Sequence, residues 1–156
     1  MNFFKIAAVV AVVVSGSAMA SVVPQFGGHG GHGGHGGHGG NNNTGPESTL
    51  KVYQQGVGNS VTALQADARE STVDITQRGS RNGADVGQGA DDATITLLQS
   101  GTANQAVIDQ WGAESSTIDV TQRGWRNGAN VNQTAADSSI ELTQVGFSNY
   151  ANLSQY

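Results

Sequence analysis

One pattern, S-x5-Q-x-G-x-x-N-x-[AV]-x3-Q, occurs five times between residue 48 and the C-terminus, and it restricts the possible folds more than any other feature. The first glutamines of successive units lie 23, 22, 23 and 22 residues apart. Periods of this size are typical of repeat proteins, in which one unit cannot bury its own apolar face and must stack on its neighbours. We therefore divide the region into units 48–70, 71–92, 93–115, 116–137 and 138–156.

Each unit contains two seven-residue segments separated by a turn with glycine. In the second unit, the apolar Val73 and Ile75 flank the polar Asp74, and the other units alternate in the same way. This period of two, with many Val, Ile and Thr residues, predicts β-strands. The turn glycines are Gly56, Gly79, Gly101, Gly124 and Gly146.

The repeats predict an all-β fold, a β-solenoid of five strand-turn-strand units that form two parallel, in-register sheets facing each other across a thin core. Stacking at about 4.8 Å places equivalent amides directly above one another, so that buried Asn and Gln side chains can bond from unit to unit in ladders. Ala93 replaces the serine in the third unit, and we expect local weakening there. The predicted ladder positions are Ser48, Gln54, Asn59 and Gln65; Ser71, Gln77, Asn82 and Gln88; Gln99, Asn104 and Gln110; Ser116, Gln122, Asn127 and Gln133; and Ser138, Gln144, Asn149 and Gln155.

The N-terminal third differs in character. Lys5, the apolar residues 6–14 and the Ala18-Met19-Ala20 motif predict a secretory signal peptide over 1–20, too short in its apolar run to span a bilayer. Residues 21–47 contain Gly-Gly-His-Gly-Gly units, and such glycine-rich sequence favours a disordered tail. The absence of cysteine excludes disulfides as a source of stability.

Charge and composition exclude several functions. Without Lys5 the chain has six Lys and Arg residues against twelve Asp and Glu, which argues against nucleic acid as a specific ligand. Only 12% of residues are charged, and Gly, Gln, Asn, Ser and Thr are abundant in their place. A chain so poor in Leu and Phe must bury polar side chains in pairs or remain disordered. No carboxylate pair recurs at facing positions and no long loop could form a pocket, so we predict neither an enzyme nor a bound cofactor.

The last repeat continues to within one residue of the end of the sequence, and no polar capping unit is visible. Solenoids normally need such caps, because an open sheet edge is a template for another strand. Head-to-tail stacking does not close into a ring and yields filaments. The sequence therefore predicts self-polymerisation.

The repeat motif, the leader that ends at Ala20, the following Val22-Val23-Pro24-Gln25-Phe26 and the Gly/His-rich segment resemble the curlin family, whose members form the functional amyloid fibres called curli. The resemblance implies secretion through the periplasm and an outer-membrane secretion pore that recognises residues 21–42, with periplasmic accessory factors. It also implies a homopolymer at the cell surface, nucleated by a minor subunit, that serves in biofilm matrix, adhesion and contact with host matrix proteins.

Within the family, the last unit distinguishes two roles. It has no Lys or Arg, whereas the minor nucleating subunit typically ends in a basic, irregular repeat, so the resemblance favours the major structural subunit. The alternative from another class is a monomeric surface- or ice-binding β-solenoid with outward rows of threonine, but Asp74 and Asp119 interrupt those rows.

Other candidate sites are less specific. The regular His29, His32, His35 and His38 could bind a metal ion, or could be incidental residues of a polar leader. Exposed aromatic residues near the turns could contact host ligands or pack locally. Arg78 and Arg81 in the second unit correspond to Arg123 and Arg126 in the fourth, and these could contact acidic matrix polymers or be solvated.

Charges and glycines in the middle units could act as gatekeepers that slow premature stacking, or could serve solubility alone. The candidate gatekeepers are Gly83, Asp85, Gly87, Asp91, Asp92 and Asp109.

Overall fold

The computed structural model describes residues 8–14, 19–22, 48–66 and 68–156, and all regular structure among them is β-strand. Residues 23–47, with the four histidines and most of the predicted tail, lie outside the described residues. The strands are β1 (Ala8–Val14), β2 (Met19–Val22), β3 (Thr49–Val57), β4 (Ser60–Gln65), β5 (Thr72–Ser80), β6 (Gly83–Gly89), β7 (Thr94–Thr102), β8 (Gln105–Trp111), β9 (Thr117–Trp125), β10 (Gly128–Gln133), β11 (Ser139–Phe147) and β12 (Tyr150–Gln155).

The strands form two six-stranded parallel sheets. Sheet A has the order β1-β3-β5-β7-β9-β11, and sheet B has the order β12-β10-β8-β6-β4-β2. Each repeat contributes one strand to each sheet, and we call the pair a rung: rung 1 is β3 with β4, and rung 5 is β11 with β12. The predicted all-β solenoid with two parallel sheets is confirmed.

Equivalent repeat positions lie side by side throughout. Gln54 pairs with Gln77 and Gly56 with Gly79 in sheet A, and the same register continues to rung 5. Because strand side chains alternate between faces, this register places all the apolar positions of one strand over those of the next. The in-register arrangement was predicted from the spacing of the Gln, Gly and Asn positions.

The core lies between the sheets and is thin. Ile75, Leu97, Ile108 and Val131 are among its residues, and each is at most 1% exposed. They are β-branched or branched aliphatic side chains, which suit the pleated surface of a sheet. Ala84 and Ala106 in sheet B leave room for the larger side chains of sheet A. The alternation in sequence therefore determines which face of each strand is buried.

Two kinds of connection form the edges of the solenoid. The first edge consists of the turns between the two strands of each rung and the outward residues at the adjoining strand ends, such as Arg78. These turns are residues 58–59, 81–82, 103–104, 126–127 and 148–149. The second edge consists of the connections between successive rungs, residues 66 and 68–71, 90–93, 112–116 and 134–138. A separate apolar cluster of Ala90, Ala93 and Ala113 lies on the second edge.

An additional layer precedes rung 1. The β1 strand pairs with β3, and β2 pairs with β4, both in parallel. Most of these residues belong to the predicted signal peptide, whose valines also have high β-propensity. The assignment of 1–20 as a cleaved leader stays a prediction. No helix among the described residues is long and apolar enough to cross a membrane.

Candidate self-assembly surface and polar ladders

The first glutamines of the repeats form a continuous column of side-chain hydrogen bonds inside the solenoid. Gln54 Nε2 donates to Gln77 Oε1 at 2.8 Å, and Gln77 Nε2 donates to Gln99 Oε1 at 2.7 Å. The column continues through Gln122 to Gln144 at 2.8 and 2.9 Å. Since the amides are almost fully buried, each bond also avoids the cost of an unpaired polar group. Every donor in this column points from rung 1 towards rung 5.

A second glutamine column runs through sheet B in the same direction. Gln65 Nε2 donates to Gln88 Oε1 at 2.8 Å, and the series continues through Gln110 and Gln133 to Gln155 at 3.0, 2.8 and 3.0 Å. Several of these amides also donate to a backbone carbonyl, as Gln88 does to Ala93 O at 3.2 Å. Both glutamine columns therefore tie neighbouring rungs together and also connect to the main chain.

The asparagines form a third column with the opposite direction. Asn82 Nδ2 donates to Asn59 Oδ1 at 3.1 Å, and the Asn82 backbone N–H donates to the same oxygen at 3.0 Å. The pattern repeats between Asn104, Asn127 and Asn149. Asn82 Nδ2 also reaches Arg78 O and Gly101 O, both at 3.1 Å. These bonds fix the turn of each rung and hold the neighbouring rungs in register.

The serines differ from the expected ladder of hydroxyls. Ser71 Oγ donates to backbone oxygens at Arg69 and Ala90, and Ser116 Oγ donates to Glu114 O and Ala135 O. Ser48 Oγ donates to Ala68 O, and Ser138 Oγ to Ala135 O. Each serine lies immediately before the first strand of its rung, within hydrogen-bonding distance of carbonyls in the connections of the second edge. The serines thus bond mainly to carbonyls of the second edge and form no ladder of hydroxyls, and Ser116 Oγ also accepts from the Ser138 N–H at 3.1 Å.

The turn glycines allow the rungs to approach closely. Gly79, Gly101 and Gly124 have φ between 107° and 118°, a region that other residues rarely adopt. A Cβ atom on Gly101 would lie 2.0 Å from Gly124 O, well inside van der Waals contact. Glycine is therefore required here both by the backbone angle and by the neighbouring rung.

The candidate gatekeepers do not form one cluster. Asp85 and Asp109 lie on the outer face of sheet B, while Asp91 and Asp92 lie on the second edge. Gly87 lies beneath Trp111, where a Cβ atom would be 3.2 Å from the indole ring. No group of three or more His, Asp or Glu residues that could hold a metal ion occurs within the described ranges.

Both ends of the solenoid are incompletely bonded or covered. On rung 1, Gln54 Oε1 and Gln65 Oε1 are buried without a hydrogen-bond partner. On rung 5, Ile140 is 7% exposed, and Leu142 and Leu153 are only partly buried, whereas the equivalent positions in rung 4 are fully covered. Within the described part of the chain, β11 and β12 end their sheets, each with a neighbour on one side only.

These features define a class of protein: a parallel, in-register β-solenoid held by internal amide ladders, with an open sheet edge at rung 5. The model of the curlin associated repeat matches residues 45–77, 68–97, 90–124 and 113–146, which together cover more than half of the chain. The chain belongs to the curlin repeat family.

Curated relatives with known names are similar over part of the chain. The "Major curlin subunit" of Salmonella typhimurium (strain LT2) is 60% identical over 91 residues, 58% of this chain and 57% of the relative. The protein of the same name from Escherichia coli (strain K12) is 55% identical over 93 residues, 60% of this chain and 58% of the relative. The match thus spans less than two thirds of the length of these relatives.

Proposed function

We propose that this protein is the major structural subunit of an extracellular curli-type amyloid fibre and polymerises by stacking rung 5 of one copy on rung 1 of the next. The role is structural, not catalytic, in keeping with the names of its relatives. The observation that carries the proposal is that Gln54 Oε1 and Gln65 Oε1 on rung 1 are buried without a donor, at the ends of columns whose Nε2 groups all point towards rung 5.

The direction of the ladders specifies how the ends would meet. The Nε2 groups of Gln144 and Gln155 would donate to the unpaired Oε1 atoms of Gln54 and Gln65 in the next copy. The Asn149 Oδ1 atom would accept from Asn59 of that copy, as Asn127 Oδ1 accepts from Asn149. Each joint would continue two columns in one direction and the third in the other. This pattern requires head-to-tail addition, because equal ends would place donors against donors.

Apolar contacts and charge favour the same joint. Leu142 and Leu153 are partly uncovered and would lie against Val52 and Ala63 of the next copy, in the register that the rungs already share. On the outer face, Lys51 occupies the same column as Asp74, Asp119 and Glu141. Stacking would place Lys51 beside Glu141 of the neighbouring copy, an opposite-charge pair of the kind that stabilises adjacent strands.

Removal of the leader would expose the receiving edge. Cleavage after Ala20 would take away β1 and half of β2, which pair with β3 and β4 in the full chain. The open edge of rung 1 would then become available to another copy. Export as the resemblance implies, through the periplasm and an outer-membrane pore with periplasmic accessory factors, would combine this exposure with delivery to the cell surface.

Growth of the fibre would begin on a minor nucleating subunit, and the finished homopolymer would serve biofilm matrix, adhesion and binding of host matrix proteins. The candidate gatekeepers would slow premature stacking, since Asp85 and Asp109 place charge on an outer face that would otherwise be neutral and amide-rich. These roles follow from family membership and the positions of the charges.

The proposal is tested by blocking one edge only. In sheet A the first residue of each strand donates its N–H to the next rung, as Thr117 does to Ser138 O. Ser139 is the equivalent residue of rung 5, so its N–H points away from rung 4. The N–H of Glu141 points the same way, because residues two apart in a strand direct their N–H groups to the same side. Glu141→Pro removes an outward N–H without removing a bond to rung 4. Residues 21–156 with this change should incorporate at fibre ends and stop growth there.

The assay is seeded thioflavin-T fluorescence with wild-type seeds and wild-type monomer. Adding one part in ten of the Glu141→Pro chain should reduce the elongation rate and final fibre length. Glu141→Ala, which keeps the N–H and loses only the exposed charge pair, should reduce them far less. A wild-type chain that remains a soluble β-rich monomer for days would overturn the proposed function. Equal elongation with both variants would overturn the stacking of rung 5 on rung 1.

A further inference from the structure

The two edges of the solenoid carry opposite charge. The first edge has four exposed arginines and no carboxylate among its described residues. They are Arg78 and Arg81 on rung 2 and Arg123 and Arg126 on rung 4. The second edge has five carboxylates and one arginine among its described residues, namely Glu70, Asp91, Asp92, Glu114 and Asp137 with Arg69.

The register arranges these charges in rows along the stacking axis. The Asp92 N–H donates to Arg69 O, the Ser115 N–H to Asp91 O, and the Asp137 N–H to Glu114 O, so the connections stack one above another. Carboxylates therefore recur on successive connections, about 4.8 Å apart. The arginines recur on alternate rungs of the opposite edge. In a filament of stacked copies, both rows would continue along its whole length.

The outer faces of the sheets do not have this complementarity. Sheet A carries Lys51 with Asp74, Asp119 and Glu141, and sheet B carries Asp85 and Asp109. Both faces are net negative, so two filaments that meet face to face place like charges together, which is unfavourable. Contact between a first edge and a second edge brings the arginines against the largest set of carboxylates, five on the second edge compared with three beside Lys51 on sheet A and two on sheet B.

Local contacts hold part of the arginine row in place. The Arg126 guanidinium lies 4.9 Å from the centre of the Trp125 ring, and that of Arg78 lies 5.9 Å from the centre of the Tyr53 ring. Stacking on aromatic rings restricts these side chains while leaving their hydrogen-bond donors outward. The arginine fork is suited to bidentate bonds with carboxylates such as those on the second edge.

We propose that the first edge is a docking surface for the second edge of another filament of the same chain, so that filaments associate laterally into ribbons. The contact repeats with every subunit, and each docked pair of filaments again presents one free arginine edge and one free carboxylate edge. Lateral growth is therefore open-ended, as expected for a heterologous interface. The inference rests on the proposed function, since only a filament presents continuous rows.

The test uses preformed filaments of residues 21–156, compared by electron microscopy for bundle width and by low-speed sedimentation. One variant neutralises the first edge, with Arg78, Arg81, Arg123 and Arg126 all changed to Gln. A second neutralises the second edge, with Glu70→Gln, Asp92→Asn, Glu114→Gln and Asp137→Asn. The control removes four charges from the sheet faces, with Asp74→Asn, Asp85→Asn, Asp119→Asn and Glu141→Gln.

Wild-type filaments should form bundles that sediment in about 20 mM salt and separate in about 1 M salt, where the Debye length falls to about 3 Å. Each edge variant should form single filaments at both salt concentrations. A mixture of the two edge variants should bundle again, because one retains the carboxylates and the other the arginines. The control variant should bundle like wild type. A variant with Lys at the four arginine positions, which keeps the charge but loses the bidentate fork, should bundle in low salt and separate at a lower salt concentration than wild type.

Three results would overturn the proposal. Edge variants that bundle as well as wild type, or a mixture that stays dispersed, would show that the edges do not dock. Wild-type filaments that remain single in low salt but co-sediment with dextran sulfate through their arginines would show that the first edge binds acidic polymers instead. Thioflavin-T elongation of each variant, measured in parallel, separates a lateral defect from a failure of the stacking itself.

Discussion

Replacement of Gln99 by leucine is expected to weaken the solenoid at its centre. Gln99 is completely buried; its Oε1 accepts from Gln77 Nε2 at 2.7 Å, and its Nε2 donates to Gln122 Oε1 at 2.8 Å and to Gly83 O at 2.9 Å. Leucine has a similar size but no polar atoms. The substitution therefore removes three hydrogen bonds with little change of volume.

The expected loss of stability depends on the hydrogen-bond partners that Gln99→Leu leaves behind. Gln122 Oε1 loses its side-chain donor, while Gln77 Nε2 keeps only Ser60 O at 3.1 Å. A buried polar group without its partner costs about 1–3 kcal/mol, and leucine recovers part of this by apolar burial. We expect a net loss of about 3 kcal/mol for each subunit. Since 1.4 kcal/mol is a factor of ten, the critical concentration for polymerisation should rise about 100-fold.

The critical concentration is measured as the monomer that remains soluble after seeded polymerisation reaches its plateau. Gln105→Leu is the matched control, since Gln105 lies on the same rung but is exposed on the outer face. Its critical concentration should change by less than about threefold, as is usual for surface substitutions. A Gln99→Leu value within threefold of wild type would refute the view that the buried ladder stabilises the fold.

A triple variant distinguishes unpaired partners from lost bonds. Changing Gln77, Gln99 and Gln122 together to leucine leaves no unpaired side-chain amide at the centre. Gln54 Nε2 and Gln144 Oε1 lose their side-chain partners, and the carbonyls of Ser60, Gly83 and Gln105 each lose a side-chain donor. Replacing both members of a hydrogen-bonded pair can be nearly neutral, so the triple effect should be much smaller than three times the single effect. An additive result would contradict the explanation by unsatisfied amides.

Three further substitutions test other parts of the structure. Ala93→Ser should restore the hydroxyl that bonds the following connection in other rungs, as Ser71 does to Ala90 O, and lower the critical concentration by a factor of about 5, equivalent to ~1 kcal/mol; an unchanged or raised value would show that Ala93 packs better without it. Gly101→Ala should prevent polymerisation at ordinary concentrations, because its Cβ would lie 2.0 Å from Gly124 O. Gly112→Ala, with φ of 65° and nothing within 4 Å of the new Cβ, should still polymerise and lose only about 1–2 kcal/mol of stability. Equal losses of stability in the two variants would show that the close approach of the rungs does not matter. Gly89→Ala should displace the Trp111 indole, which a Cβ would approach to 2.1 Å, and red-shift tryptophan emission, whereas Gly83→Ala, with its nearest atom at 3.5 Å, should leave emission unchanged; identical spectra would contradict the contact.

The fold could be predicted because every level of the sequence agrees. The period-two alternation defines strands, the turn glycines separate them, and the spacing of Gln, Gly and Asn aligns successive rungs. Val73 and Ile75 are buried in the structure, and the equivalent pair in each of the first four rungs is buried as well. Such agreement between local pattern and global register is what a repeat array requires.

Other features depend on contacts that the repeat motif does not specify. The direction of each amide column depends on how the amide rotates, which for Asn82 is determined by Arg78 O and Gly101 O. The serines bond to backbone carbonyls because the connection folds back over them. The position of Trp111 above Gly87 and Gly89 depends on register between neighbouring rungs, and could have been found by aligning the large exposed residues with glycines in the adjacent unit.

The charge on the edges was only partly visible in the sequence. The recurrence of arginines in the second and fourth units was evident, but the carboxylates of the second edge lie in connections whose sequences differ between units. Only the stacked structure shows that Glu70, Asp92 and Asp137 lie in one row. All three have φ between 50° and 53°, and the N–H groups of Asp92 and Asp137 each donate to a carbonyl of the preceding connection. Irregular segments acquire a common geometry from the strands that they join.

The central claim is that rung 5 of one copy stacks on rung 1 of another, and disulfide cross-linking tests it most directly. The chain contains no cysteine, so Lys51→Cys and Glu141→Cys can be introduced in separate chains. In a stacked joint their Cα atoms would be about 4.8 Å apart, which a disulfide can span. Fibres grown from an equal mixture should, after oxidation, yield 51–141 dimers. Dimers joined 51–51 or 141–141, or fibres without cross-links, would contradict head-to-tail stacking.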